Sequence, residues 1–382
     1  MSARLSHALR ELRGNARYRL GKAVARLAGP RAAATRLPAS EVSSVLICRI
    51  NARMGNAVFL TPLLERLHEL MPQASIDIAT AYPKAEDLLG GLPGIRRIIR
   101  FPYKGLQLPY RYLAAVRQLR RERYDLVIDP VANSTSARIV LMLARSRWRL
   151  GYAAADQWAP LTHAVPLARE PLHQAAQPAV LLSRALGVDD DIGAVRLWLP
   201  LSHQEVEAGS AAIVRAMATR GAAAAPSQAF AFFAHATGLK TVDRAYWRAF
   251  WAAFLELEPQ AVPVEILPMP TSASTIEGCA SLHIPSPRAL TAAMAATRLF
   301  ISADTGPLHL AGTTAVPTVA LFQASNPALF GPLKPGDLVL DTRRCSPREA
   351  AQACQRLWRR CAEGGPQGAL QRVPSAPNGV AV

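Results

Sequence analysis

An α/β fold of two Rossmann-like, doubly wound domains facing each other across a cleft is what this sequence predicts. Three observations carry that expectation. Short apolar runs alternate with helical patterns. The alternation breaks near residues 200–225 and then resumes. The sharpest motifs stand where an apolar run meets the start of a helix. Strands that alternate with helices form a parallel sheet covered on both faces. Ligands of such sheets bind beyond the carboxyl ends of the strands, so the site is expected in the cleft.

In the first half, residues 45–50, 76–79, 95–101 and 125–129 read as buried strands. Residues 56–70, 108–123 and 134–144 carry helical periodicity. Residues 151–205 are less regular, with one strand expected near 195–199. The acidic run Asp189-Asp190-Asp191 has no strand before it and reads as a loop, not a metal motif. In the second half, strands are expected at 229–233, 264–267, 299–302 and 317–322. Helices are expected at 244–257, with Trp247, Phe250 and Phe254 on one face, and at 287–296, 308–314 and 347–361. The domain reading is a basic extension and linker over 1–40, a first Rossmann-like domain over 41–205, a second over 206–345, and a last helix with a tail rich in Gly and Pro over 346–382.

The 382 residues are half hydrophobic and only 19% charged, enough for two cores and unlike a disordered chain. The net charge of +17 favours a phosphate-rich partner or an anionic membrane. Nucleic acid is set aside, because neither paired zinc spacing nor an aromatic RNA-binding signature is present. Residues 1–36 carry nine Lys/Arg against one acid, Glu11, and residues 1–28 read as an amphipathic helix with Leu5, Leu9, Leu12, Leu20 and Leu27 recurring along it. Such a helix either lies in a membrane interface, with arginines on lipid phosphates, or docks on its own domain. The five cysteines form no CxxC pair, which fits a reduced, cytoplasmic protein. No run of about 18 apolar residues spans a bilayer, and the N-terminus lacks the apolar core of a secretory signal.

The sharpest motif is the run from Ser302 to His309, Ser-Ala-Asp-Thr-Gly-Pro-Leu-His. A strand runs into a tight turn and a helix opens, and free N–H groups at a helix start attract phosphate. Thr305 adds a hydroxyl, Gly306 lets backbone approach a ligand, and His309 stands near the same end. Asp304 can accept from sugar or ribose hydroxyls, or serve only as a cap. A second strand-to-helix turn holds Arg49, Arg53, Gly55 and Asn56; it is not GxGxxG, so no dinucleotide fingerprint is present. A third, His235-Ala236-Thr237-Gly238-Leu239-Lys240, follows the first strand of the second half. Its lysine can meet a diphosphate as a point charge or stand as an ordinary surface residue.

Taken in order, these motifs resemble the heptosyltransferase family, glycosyltransferase family 9, over roughly residues 43–340. The carriers are Leu46-Ile47-Cys48-Arg49-Ile50 with Gly55-Asn56-Ala57-Val58 and Thr61-Pro62-Leu63-Leu64; Tyr124-Asp125-Leu126-Val127-Ile128-Asp129; Gly151-Tyr152; the run from Asp304 to Ala311; and Val316 to Phe322 followed by Asn326-Pro327. The resemblance implies a GT-B fold in which 41–205 is the acceptor domain and 206–345 the nucleotide-sugar domain. It also implies inverting, metal-independent transfer of a sugar from a nucleotide-sugar donor, typically ADP-heptose, to a lipopolysaccharide core or related lipid-linked glycan. It implies no resident cofactor. It places the donor near Thr237, Asp304, Thr305, Gly306 and His309, with Lys240 on the diphosphate. Arg49, Arg53 and Gly55 fall on the acceptor side or bind phosphate. The expected location is the inner face of the inner membrane, held peripherally on its anionic surface. Two departures stand out. The family's base, an aspartate after the glycine, is Asn56 here, and the usual Phe-Gly is Phe322-Gln323. An amide cannot take a proton as a carboxylate does, so a nucleotide-sugar-binding or scaffold protein without efficient transfer is the second reading.

Overall fold

The computed structural model describes residues 36–103, 108–132, 134–153, 161–189, 195–221, 225–269 and 272–363. The basic segment expected to be helical over 1–28, Asp190 and Asp191 of the acidic run, and the tail from Gly364 lie outside the described residues. The chain divides into two compact units after Pro200, and Ala328–Phe330 belongs with the first.

The first unit is a six-stranded sheet in the order β3-β2-β1-β4-β5-β6, every neighbouring pair parallel. Its elements run β1 (Ser44–Arg49), α1 (Met54–Val58), α2 (Thr61–Leu70), β2 (Ser75–Thr80), α3 (Ala85–Leu89), β3 (Ile95–Arg100), α4 (Pro109–Leu119), β4 (Arg123–Asp129), α5 (Thr135–Leu143), β5 (Arg145–Ala153), β6 (His163–Pro166) and α6 (Ala176–Leu186). The central strand β1 is sealed: Val45, Leu46, Ile47 and Cys48 have no exposed surface. A strand buried on both faces is what a near-continuous apolar run encodes.

The second unit repeats the plan. Its elements are α7 (His203–Ala218), β7 (Ala229–Phe233), α8 (Arg244–Leu257), β8 (Val262–Ile266), β9 (Ala280–Leu282), α9 (Pro287–Ala295), β10 (Leu299–Ala303), α10 (Gly306–Ala311), β11 (Thr318–Phe322), β12 (Leu338–Asp341) and α11 (Pro347–Glu363). The sheet order is β12-β11-β10-β7-β8-β9, again parallel throughout. Counted from the first strand of each unit, both sheets follow the order 3-2-1-4-5-6 of the Rossmann fold.

One face of the second sheet is aromatic. Phe230 and Phe232 of β7 meet Trp251 of α8 at ring-centroid distances of 4.9 and 4.8 Å, in edge-on and tilted geometry. Phe254 and Trp358 close the cluster, the latter carried by α11. With Ala350, Ala351, Cys354 and Leu357 also buried, α11 is part of this core. On another face α7 and α9 press together. A Cβ added to Gly209 would lie 2.3 Å from the backbone carbon of Ala292.

Several expected elements come out differently. The helix expected over 56–70 is two helices. Pro62 has no N–H to give, and Thr61 donates its hydroxyl to Val58 O at 2.8 Å, so a new helix starts there. No strand forms at 195–199; the Trp198 N–H is taken by Thr61 Oγ1 at 3.0 Å, and β6 already ends the sheet. The irregular reading of 151–205 misses β6 and α6, and 200–225 is largely the capped helix α7, not a bare joint. The strands β5, β6, β9 and β12 escape sequence reading. β6, β9 and β12 have four residues or fewer, and β5 alternates arginine with apolar residues in place of an apolar run. The linker expected to extend to residue 40 ends earlier: Leu37 is buried and its N–H donates to Ala185 O of α6 at 2.8 Å.

The α7–α9 approach gives a clear expectation. Gly209→Ala destabilises the protein by about 1–3 kcal/mol, because the new methyl meets backbone that cannot swing away. Gly91→Ala, with nothing within 4 Å of its added Cβ, changes stability by less than about 0.5 kcal/mol. Urea midpoints of the two variants measure the difference.

Candidate functional site

In a sheet of this order the chain reverses direction between its first and fourth strands, and the loops beyond those carboxyl ends part to leave a crevice. In the second unit these strands are β7 and β10, paired from Leu299 against Phe230 to Ser302 against Phe233. The loop after β7 carries His235, Thr237 and Lys240; the turn after β10 carries Asp304, Thr305 and Gly306. The fold therefore brings two separately read motifs to one place.

Their joint is Asp304. It is 4% exposed, and its Oδ2 accepts from Lys240 Nζ at 2.5 Å and from Ser325 Oγ at 2.6 Å. His309 Nε2, one turn along α10, lies 3.4 Å from Oδ1. Burial works to raise the Asp304 carboxyl, but the bonds from His309, Lys240 and Ser325, with the charge of Lys240, outweigh it and hold the group at about 2. Asp304 is thus an ionised anchor in an otherwise cationic corner, not a helix cap: the N-cap of α10 is Thr305, in extended conformation. No side chain caps that helix start, and Thr305 Oγ1 is instead 2.9 Å from Ser302 Oγ. The first N–H groups of α10 are left to other acceptors.

Lys240 ends a short turn, Gly238–Lys240, that Thr237 precedes and Gly238 enters with φ of 65°. Thr237 is exposed and makes no capping bond. Gln323, which stands directly after β11, ties this turn down. Its Nε2 donates to Leu239 O at 2.9 Å and Thr241 O at 2.6 Å, and its Oε1 accepts from Thr342 at 3.2 Å. The residue that replaces a glycine thus clamps the backbone on both sides of Lys240.

A second network lies alongside. Glu265 of β8 is fully buried; His235 Nε2 is 3.1 Å from its Oε1, and Ser274 Oγ and the Thr275 N–H donate to Oε2 at 2.5 and 2.7 Å. Burial would raise this carboxyl, but the His235, Ser274 and Thr275 bonds hold it below its usual value. A cavity of about 500 Å³ opens here, lined among others by His235, Thr241, Arg244, Trp247 and Thr275. The one sequence signal for Glu265 was a charge inside the apolar run Val264-Glu265-Ile266; Ser325 carried none, and Gln323 stood out only as a departure from the family's Phe-Gly.

In the first unit the corresponding ends are Arg49 of β1 and Asp129 of β4. Arg49 Nη2 donates to Asn56 Oδ1 at 2.8 Å, so Arg49, Gly55 and Asn56 come together at the start of α1. Burial lowers the Arg49 guanidinium to about 10, against the charge of Asp129. Arg53 is the N-cap of α1; it is exposed and gives its N–H to Asn51 Oδ1 at 2.8 Å. Asp129 is completely buried. Burial pushes its carboxyl up to about 6 against the charge of Arg138, whose Nε donates to it at 2.8 Å. A carboxylate sealed in this way is not open to an acceptor hydroxyl.

The comparisons with known proteins come to the same place. Residues 286–358, which include the turn after β10, match the model of glycosyltransferase family 9 (heptosyltransferase). Among solved structures, the glycosyl transferase family 9 protein of Veillonella parvula is 18% identical with a TM-score of 0.67, covering 83% of this chain and 97% of its own. ADP-heptose lipopolysaccharide heptosyltransferase II of E. coli is 17% identical with a TM-score of 0.64, over 83% and 99%. The E. coli heptosyltransferase WaaC, solved with ADP, is 18% identical with a TM-score of 0.61, over 83% and 99%. At these identities the likeness establishes the fold. The search of curated proteins found no match.

The depressed Asp304 carboxyl sets a pH signature. Its folded value of about 2 lies below the ordinary 3.8, so its stabilisation is full above pH about 4 and is lost as pH falls through about 2. Asp304→Asn is expected to remove about 2 kcal/mol at neutral pH and to decline less steeply than the parent between pH 4 and 2. Urea unfolding across that window measures the two slopes; parallel slopes would mean that Asp304 is not held in this way.

Proposed function

We propose that this chain is a glycosyltransferase of family 9, a reading supported by the family match over residues 286–358 and by the fold shared with the heptosyltransferase structures. The reaction proposed is transfer of a sugar, heptose in the first place, from a nucleoside-diphosphate donor to a lipopolysaccharide core or related lipid-linked envelope glycan, with inversion at the anomeric carbon. The observation that carries it is the junction of Lys240, Asp304 and His309 beside the uncapped start of α10, at the crevice position of the second sheet.

The diphosphate of the donor sits on the first N–H groups of α10 with Thr305 and Gly306, where oriented amides suit anionic oxygens. Lys240 meets it as a point charge, held in place by Asp304 and by the Gln323 clamp. Asp304 accepts from donor hydroxyls on Oδ1, the oxygen that it also turns to His309, and Thr237 borders the same turn. When the acceptor oxygen bonds the anomeric carbon, the bond from that carbon to the diphosphate breaks. The electron pair goes to the leaving phosphate oxygen, and the positive charge of Lys240 stabilises it. The acceptor hydroxyl gives its proton to a base. Asn56 does not take it, since its carbonyl oxygen is bonded to Arg49; this pair, with Arg53 and Gly55, instead binds and orients the acceptor or its phosphates. The excess of positive charge and the basic 1–36 segment suit an acceptor in an anionic membrane and support a peripheral position on the cytoplasmic face of the inner membrane. No described helix is long and apolar enough to cross a membrane.

Two expectations test this reading. Lys240→Ala and Thr305→Ala each weaken ADP binding, by about 1.5–3 kcal/mol for the charge-assisted lysine contact, as titration calorimetry would read; parent-like affinity in both would place the nucleotide elsewhere. Asn56→Asp keeps ADP affinity and slows transfer to a lipid-linked acceptor, because the new carboxylate pairs with Arg49. A gain on the order of 10²-fold or more would instead mean that the parent lacks a base at this position. ADP binding without transfer by either protein would favour the binding-protein reading.

A further inference from the structure

We propose that the exposed face of α4 in the first unit is a membrane-contact surface that seats on an anionic bilayer. This rests on the reading above that the acceptor is lipid-linked, and it concerns residues remote in sequence from the basic 1–36 segment.

Helix α4 is apolar on two sides. Its inner side is ordinary: Ala115 and Leu119 are buried, Tyr112 and Val116 partly so, and Tyr112 packs edge-on against Phe101 at 5.2 Å. The outer side of a surface helix is normally polar. Here Tyr110 is 63% exposed and Leu113 53%, and the loop leading to the helix adds Tyr103 at 70%. Tyr110, Leu113, Ala114 and Arg117 follow the i, i+3, i+4, i+7 spacing of a single helical face, and all four are exposed.

The charges around this patch have one sign. Residues 108–121 contain four arginines and no Asp or Glu. All four, Arg111, Arg117, Arg120 and Arg121, are exposed, and the Arg111 guanidinium lies 5.8 Å from the centre of the Tyr110 ring. The first acid that follows, Glu122, is engaged with Arg96 and Arg97. Tyrosine, with an apolar ring and a polar tip, suits the depth of lipid headgroups, leucine the layer beneath them, and arginine the phosphates. That complementarity to an anionic lipid surface selects the bilayer as the occupant.

The test sediments the full-length protein with vesicles of phosphatidylcholine, alone or mixed with phosphatidylglycerol, and measures ADP affinity on the same preparations. The parent is expected to prefer the mixed vesicles. The Tyr103→Ser, Tyr110→Ser, Leu113→Ser triple variant is expected to partition about tenfold less or lower. Val214→Ser, at a 41% exposed apolar position on α7, should behave as the parent. ADP affinity unchanged in the triple variant shows that the protein is folded, and it reports on the donor reading separately from the surface. Should that variant fail to fold, Arg111→Gln with Arg117→Gln is expected to lower partition about tenfold at low salt. Equal partition of the parent and a folded variant, equal capture by both vesicle types, or no capture of the parent overturns the proposal.

Discussion

The arrangement depends on the reversal of strand order beside the first strand of each sheet. Because β8 follows β7 to one side and β10 returns on the other, the loops after β7 and β10 leave the sheet in opposite directions. Lys240 reaches across that opening to Asp304, and the contact is the structural pivot of the second unit. In the first unit the same reversal sets Arg49 beside Asp129, with a different result. There the carboxylate is sealed against Arg138, and the arginine turns to Asn56. One topology thus produces a buried carboxylate with a partly exposed cation in one unit and a fully sealed pair in the other. Arg138, carried by α5 within reach of Asp129, makes the difference.

A charged corner stays in place only if its supports do not move. The aromatic layer under β7 supplies that rigidity, since Phe230 and Phe232 are locked between α8 and α11. Above it, Gln323 ties the lysine-bearing turn to the end of β11, and Ser325 adds a second donor to Asp304. Lys334 donates to the carbonyls of Ala311 and Thr314 at 3.3 and 3.0 Å, so the far end of α10 is held as well. The start of that helix, left without a side-chain cap, is the part of the corner open to a ligand.

Much of this was legible in the residues. The buried strands β1, β4, β7, β10 and β11 announce themselves as apolar runs, because a strand covered on both faces has no polar side to show. The turn at Asp304 was legible because strand, glycine and helix start fall within a few residues. Of the four edge strands only the six-residue β3 was legible. β6, β9 and β12 are short, and their outer side needs no apolar residue. The helix α6 was hidden by Pro178, tolerated because it falls in the first turn. In the sequence Asp77 reads only as part of the strand at 76–79, and its role there was not legible. Its partners Arg96, Arg97 and Tyr124 come from β4 and from around β3, a proximity that no local window contains.

What the sequence by itself determined is therefore the local order: which apolar runs are buried strands, that there are two sheets, and which motifs end at strand tips. Periodicity and turn chemistry act over a few residues, and these properties need nothing more. The tertiary structure decided the pairings: Lys240 with Asp304 across 64 positions, His235 with Glu265, Gln323 with the carbonyls flanking the lysine, and Asn56 with Arg49. It also decided that Asp129 is a sealed partner of Arg138 and not an exposed base. A carboxylate's role is set by the burial and the cations around it. Those are properties of packed surfaces, and the same letters in a different sheet order would meet other neighbours.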